Sequence, residues 1–163
     1  MKADKTTIRR SGFDRVARIY RLMELLTFGS HLHHARIAHL NEIKNSKEVL
    51  LAGEGNGRFL QALLATNKSC RATCVDWSAE MLKQARSRTR KEDLDRVCFK
   101  QADLARAKLK TNQFDTIVTH YFLDCFRRET LEGLVPMLAS ALKPKGKWLL
   151  ADFWKPESLK PSY

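Results

Sequence analysis

Three glycines and a short series of acids carry most of the chemistry that this chain could perform. Gly53, Gly55 and Gly57 follow the apolar run Val49 to Ala52, and an apolar helical pattern begins directly after them. A buried strand, a tight turn and a helix start in that order form the place where open α/β sheets bind ligands. One glycine turns the chain at the strand end, and the others let the backbone approach a ligand that a Cβ would strike. About nineteen residues on, Asp76 ends a second short apolar run, placed to accept hydrogen bonds from both hydroxyls of a ribose. Its other reading is local, since Asp76-Trp77-Ser78 also introduces a helix with Ser78 as its N-cap.

The spacing separates two classes of ligand. A dinucleotide fingerprint needs G-x-G-x-x-G, and Arg58 occupies the position of its third glycine. The G-x-G-x-G found here resembles class I S-adenosylmethionine (AdoMet) methyltransferases. Asp76-x-Ser78-x-x-Met81-Leu82 is similar to the second landmark of that family. Three more landmarks follow in the family's order: Val97 to Leu104 with Asp103, Phe114 to His120, and Leu142 to Leu150 with Pro144 and Gly146.

Several roles follow from the resemblance alone. It implies AdoMet as cofactor and S-adenosylhomocysteine as product. Gly53, Gly55, Gly57, Asp76, Trp77, Met81, Asp103, Leu104 and His120 would then line the cofactor, with Trp77 on the adenine and Asp103 beside its amino group. Phe13 to Tyr20, Leu22-Met23 and Leu26 to Gly29 look like the opening of the ubiquinone/menaquinone-biosynthesis type of C-methyltransferase. In such enzymes the opening helices form a lid, and Tyr20 would face the pocket; its other reading is a core aromatic on an amphipathic helix.

The chain also departs from the family. Leu51 stands where many members carry an acid for the cofactor's amino-acid end. Glu54 is a substitute for the ammonium, or else a solvent-facing turn residue. Free N–H groups at the following helix start remain for the carboxylate. Methyl transfer from a sulfonium needs a nucleophile held in line and a route for its proton, but no metal. Thr119-His120-Tyr121-Phe122 lacks the Pro-Pro of enzymes that methylate base amines, which favours a carbon or oxygen acceptor. His120 is the first candidate for a general base and Asp124 the second, with backbone lining and helix capping as their other readings. His31, His33, His34 and His39 lack the acids or cysteines that complete a metal site, so no metal is expected.

These residues need a scaffold, and the patterning supplies one. Strands are expected at about 48–52, 71–75, 97–101, 114–120 and 146–153, with helices near 57–66, 78–91 and 129–142. Pro136 should bend the last helix or delay its start. The alternation predicts a Rossmann-like three-layer α/β sandwich with a mostly parallel sheet. About five strands are present, and the family's final strand hairpin is missing. Residues 1–44 read as a basic arm and helical lid, broken at Gly29-Ser30, 45–155 as the AdoMet-binding core, and 156–163 as a polar tail, in one domain overall. A fifth strand without its hairpin is an apolar edge, and self-association through it is expected.

Composition narrows the partners. Thirty Lys and Arg against eighteen Asp and Glu give a formal net charge of +12, which keeps RNA in play. The basic run Lys83 to Lys91, however, reads first as a solvated helix face. The four cysteines show no paired-ligand spacing and read as reduced, mostly buried residues. With no membrane-length apolar stretch and no apolar segment behind Met1, a cytoplasmic location is expected. The sequence therefore points to an AdoMet-dependent methyltransferase with a small, quinone-like or other lipophilic aromatic acceptor. The alternatives are an RNA methyltransferase and an inactive AdoMet-binding module.

Overall fold

The computed structural model describes residues 31–153. Within them lie five parallel strands, β1 (Glu48–Ala52), β2 (Arg71–Asp76), β3 (Val97–Gln101), β4 (Phe114–His120) and β5 (Leu142–Ala151), joined by helices except between β3 and β4, where a loop runs. The helices are α1 (His31–Ile37), α2 (Arg58–Thr66), α3 (Ala79–Arg88) and α4 (Arg128–Ala141), with short 3-10 segments at Leu40–Ile43, Lys91–Arg96 and Leu123–Cys125. No helix among the described residues is long and apolar enough to cross a membrane.

The strand order is β3-β2-β1-β4-β5. Connections step outward from β1 and then return to its other side at β4, which opens a crevice beyond the strands' C-terminal ends. Both neighbours hold β1 in register: Leu51 pairs with Cys74 on one side and Val118 on the other. The pleat sends Val49 and Leu51 into a core with Phe59, Leu63 and Ala85, under α2 and α3. It sends Leu50 and Ala52 to the opposite core with Ile117, Leu134 and Leu138, under α4. Burying one such leucine contributes about 1.5–3 kcal/mol, so β1, buried on both faces, anchors everything attached to its end. Leu51 is a core residue, 1% exposed, and takes no part in the crevice.

Strand expectations differ from the structure mainly at β5. It begins at Leu142 rather than at 146, because Leu142 already pairs with Phe114, and it ends at Ala151. The register slips before Lys147 meets Thr116, and the slip accommodates Pro144 and Lys145 (φ 65°). Proline is tolerated there because β5 is an edge strand. Helix α3 stops at Arg88, earlier than 91, and a separate 3-10 segment follows. Pro136 is housed inside α4, which starts at Arg128 and shows no delay. Cys70 and Cys74 are buried, whereas Cys98 is exposed on the β3 edge and Cys125 is half-buried, so the expected burial holds for two of the four.

Candidate functional site

The loop from Gly53 to Gly57 holds three left-handed residues, with φ of 69°, 69° and 85°. The crowding around them corrects the expected reason for Gly57, and Gly53 turns the chain at the strand end as expected. A Cβ on Gly57 would lie 2.5 Å from Ala85 Cα, so this position is small to let α3 pack on the loop. A Cβ on Gly53 would strike the Phe122 ring. Only Gly55, itself buried, has open space where its Cβ would be, while Gly53 is half-buried and borders both cavities of the crevice.

Asp76 binds this loop to β2. It is 4% exposed. Its Oδ2 accepts the Gly55 N–H at 3.0 Å and its Oδ1 accepts the Ser78 N–H at 2.8 Å. Burial raises its pKa, and the N–H donors of Ser78, Gly55 and Trp77 oppose that rise. The local reading also holds in part, because Ser78 is the N-cap of α3 and its Oγ accepts the Met81 N–H at 3.3 Å.

Two cavities in the crevice are bordered by described residues. The larger is bordered by Gly53, Asp76, Trp77, Asp103, Leu104 and Tyr121, with Phe122, Cys125 and Phe126 closing its far side. Phe122 and Phe126 meet edge to face at 4.9 Å. Asp103 Oδ1 accepts the Ala105 N–H at 3.0 Å, which shapes the turn that carries Leu104 into the cavity. Met81 is 9% exposed on α3 and does not border this cavity.

The smaller cavity lies between α1, the glycine loop and β4, and is bordered by Arg36, Glu54 and His120 together with Ala52, Gly53 and Val118. Glu54 is 9% exposed, so it is no solvent-facing turn residue. Its Oε1 accepts the Phe59 and Leu60 N–H groups, both at 3.0 Å, and thereby caps α2. Those are among the amides expected to await a carboxylate, and the chain's own acid already takes them. Burial pushes the Glu54 carboxyl up to about 7 despite the amides and Arg36. His120 packs edge to face on Phe59 at 4.7 Å. Burial, with help from Arg36, holds its imidazole down at about 4, so it is neutral at pH 7 and a weak base. Among the described residues, His120 Nδ1 and Arg36 Nε are buried without a hydrogen-bond partner.

Tyr121 stands between the cavities in a left-handed conformation (φ 53°), unusual for so bulky a residue. Arg36 lies over its ring at 5.3 Å, and Phe153 packs on it at 5.0 Å. Nearby, the Asp124 N–H donates to Asp152 Oδ2 at 3.1 Å. Burial, followed by the charge of Asp124, raises the Asp152 carboxyl.

The fold thus gathers Gly53, Asp76, Trp77, Asp103 and Leu104 about one cavity, with Gly55 bonded to Asp76 behind it, and Glu54 and His120 about its neighbour. Asp124 sits one residue from the larger cavity's wall, and Tyr20 lies outside the described residues. Arg36 and Asp152 escaped the sequence reading: each is a single charged residue whose significance lies in neighbours distant along the chain. Among the described residues, no group of three His, Cys, Asp or Glu side chains is placed to hold a metal.

Residues 49–146, more than half of the chain, match the model of a family described as a methyltransferase domain. No curated protein matches the chain. Among solved structures, it is similar to DhpI in a complex with SAM and HEP, at 24% identity and a TM-score of 0.67, over 96% of this chain and 70% of that one. It is similar to an S-adenosylmethionine-dependent methyltransferase from Leishmania major at 22% identity and a TM-score of 0.64, over 77% of this chain and 52% of that one. YcgJ from Bacillus subtilis matches at 25% identity with the same TM-score, over 77% of this chain and 53% of its own. The chain therefore spans about half the length of the last two.

Proposed function

We propose that this chain, which belongs to the methyltransferase-domain family, is an AdoMet-dependent methyltransferase that methylates a carbon or oxygen of a small, lipophilic aromatic acceptor of the quinone type. The observation that best supports the cofactor is the buried Asp76 carboxylate, held by Gly55 and Ser78 at the floor of a mostly apolar cavity. A carboxylate pinned by two amides keeps acceptor capacity in one fixed direction, which suits the paired hydroxyls of a ribose. Trp77 and Leu104 offer flat apolar walls for an adenine, and Asp103 stands at the edge where its amino group would end. Arg36, in the smaller cavity, offers a guanidinium to the cofactor's carboxylate.

When bound, AdoMet supplies an electrophilic methyl on a sulfonium. The chain's own work is to orient the partners, exclude water and accept a proton. Tyr121, Phe122 and Phe126 form an aromatic wall that favours a flat, apolar acceptor. His120 is neutral but too weakly basic to draw a proton from a phenol efficiently. That leaves Asp124, next in the chain to Cys125 on the cavity border, as the proposed proton acceptor.

Calorimetric titration with S-adenosylhomocysteine tests the cofactor, followed by methyl transfer to a panel of phenols and hydroquinones. Micromolar binding with turnover on one of them supports the reading. Binding with no turnover on any acceptor would point instead to an AdoMet-binding module, and no binding by the folded chain would end the cofactor assignment.

A further inference from the structure

The smaller cavity is built of charged and polar side chains from three separate elements, and the ribose and adenine assignments leave it unused. Arg36 comes from α1, Glu54 from the glycine loop and His120 from the end of β4. Buried polar atoms without partners are costly, and this cavity has two on its border that find none among the described residues, Arg36 Nε and His120 Nδ1. Glu54 is partly satisfied, since one of its oxygens already holds two amides of α2. The cavity therefore presents one cation, one acid and one neutral imidazole. That set complements a group carrying both a carboxylate and an ammonium.

With Leu51 in the core, the acids facing this region are Glu54 and, from β2, Asp76. Asp76 borders the larger cavity, where the ribose is assigned, and Glu54 borders the smaller one, which makes Glu54 the acid for an ammonium there. We propose that Glu54 takes the α-ammonium of the bound cofactor in its ionised form, so that the chain releases a proton when the cofactor binds. The inference rests on the AdoMet reading above. The surroundings of Glu54 make the proton available. Burial favours its neutral form, Asp76 on β2 adds to that, and Arg36 on α1 and the α2 amides act against it. Arg58 at the start of α2 acts on Arg36, whose guanidinium it disfavours. His120 on β4 titrates far below neutrality, and the Cys74 thiol, which feels the Glu54 charge, is pushed up by burial. Glu54, at about 7, is therefore the group in this cluster that changes charge between pH 6 and 8.

The sign is fixed by the chemistry. An ammonium beside Glu54 lowers its pKa, so the bound state carries fewer protons and affinity rises with pH. S-adenosylhomocysteine should bind about tenfold more tightly at pH 8 than at pH 6, because the ionised fraction of a group titrating near 7 grows by that factor. Calorimetry at pH 6 in buffers of different ionisation enthalpy should record close to one proton released per ligand. This measurement uses the unmodified protein and needs no variant to fold. Glu54→Gln keeps an oxygen for the α2 amides and should flatten the pH profile. Binding with no proton released, binding that tightens as pH falls, or an unchanged slope in Glu54→Gln would each overturn the inference while leaving the cofactor reading intact. Absence of binding at every pH would overturn both.

Discussion

The Asp76 carboxylate accepts the Gly55 N–H at 3.0 Å across the mouth of the sheet, joining the end of β2 to the turn that leaves β1. One side chain thus sets the shape of the glycine loop and offers itself to a ligand. Asp76→Ala leaves buried amides without an acceptor, which costs about 1–3 kcal/mol each where it occurs. Loss of both S-adenosylhomocysteine affinity and stability is expected, read by calorimetry and by urea unfolding. A variant that loses neither would remove Asp76 from the site.

The glycines should separate stability from binding. Gly57→Ala combines a left-handed φ with a backbone collision at Ala85, so it should destabilise well beyond the roughly 1–2 kcal/mol of left-handed strain. Gly55→Ala carries the strain without the collision, and its added methyl points to open space. Its urea midpoint should fall less than that of Gly57→Ala, while its cofactor affinity falls in addition. The reverse order of stabilities would contradict the packing of α3 on the loop.

Two buried groups at the smaller cavity pull stability in opposite directions with pH. His120 has a folded pKa of about 4, below its ordinary 6.5, so the unfolded chain binds the extra proton and the His120 contribution is lost as pH falls from 6.5 towards 4. Glu54 has a folded pKa of about 7, above its ordinary 4.5, so the folded chain keeps the proton and its contribution is lost as pH rises from 4.5 to 7. Unfolding free energies measured across pH 4.5–6.5 should become steeper with pH in Glu54→Gln and shallower or falling in His120→Gln. Parallel curves for parent and variants would show that neither group is buried as described.

The β5 edge is a proposed contact between two copies of the chain. Leu150 is 57% exposed on β5 and Phe153 is 54% exposed just beyond it, and an open apolar strand edge invites pairing. Sedimentation over a concentration series should reveal dimers that Leu150→Lys abolishes. A monomer at every concentration would refute the contact.

Much of this was legible in the sequence because it is local. The apolar run from Val49 to Ala52, the alternate glycines and the Asp76-Trp77-Ser78 turn each impose their conformation on a few neighbouring residues, and the alternation of such units implies a parallel α/β sheet. The spatial order of the strands, β3-β2-β1-β4-β5, and the crevice beyond their ends are visible only in the folded sheet. The start of β5 was not legible, because pairing of Leu142 with Phe114 overrides the breaking signals of Pro144 and Gly146.

What only the tertiary structure decided is the arrangement of residues far apart in the chain. Glu54 looks the same in the sequence whether it faces water or caps α2; burial under α1 makes it a helix cap with a raised pKa. Gly57 is small because of Ala85, and Gly53 because of Phe122, neither of which the loop itself reveals. Arg36 acquires meaning only when α1 lays it over Tyr121 and beside His120. Periodicity and turn chemistry act over a few residues and can be read directly, whereas burial and electrostatic coupling depend on which distant surfaces the fold brings into contact.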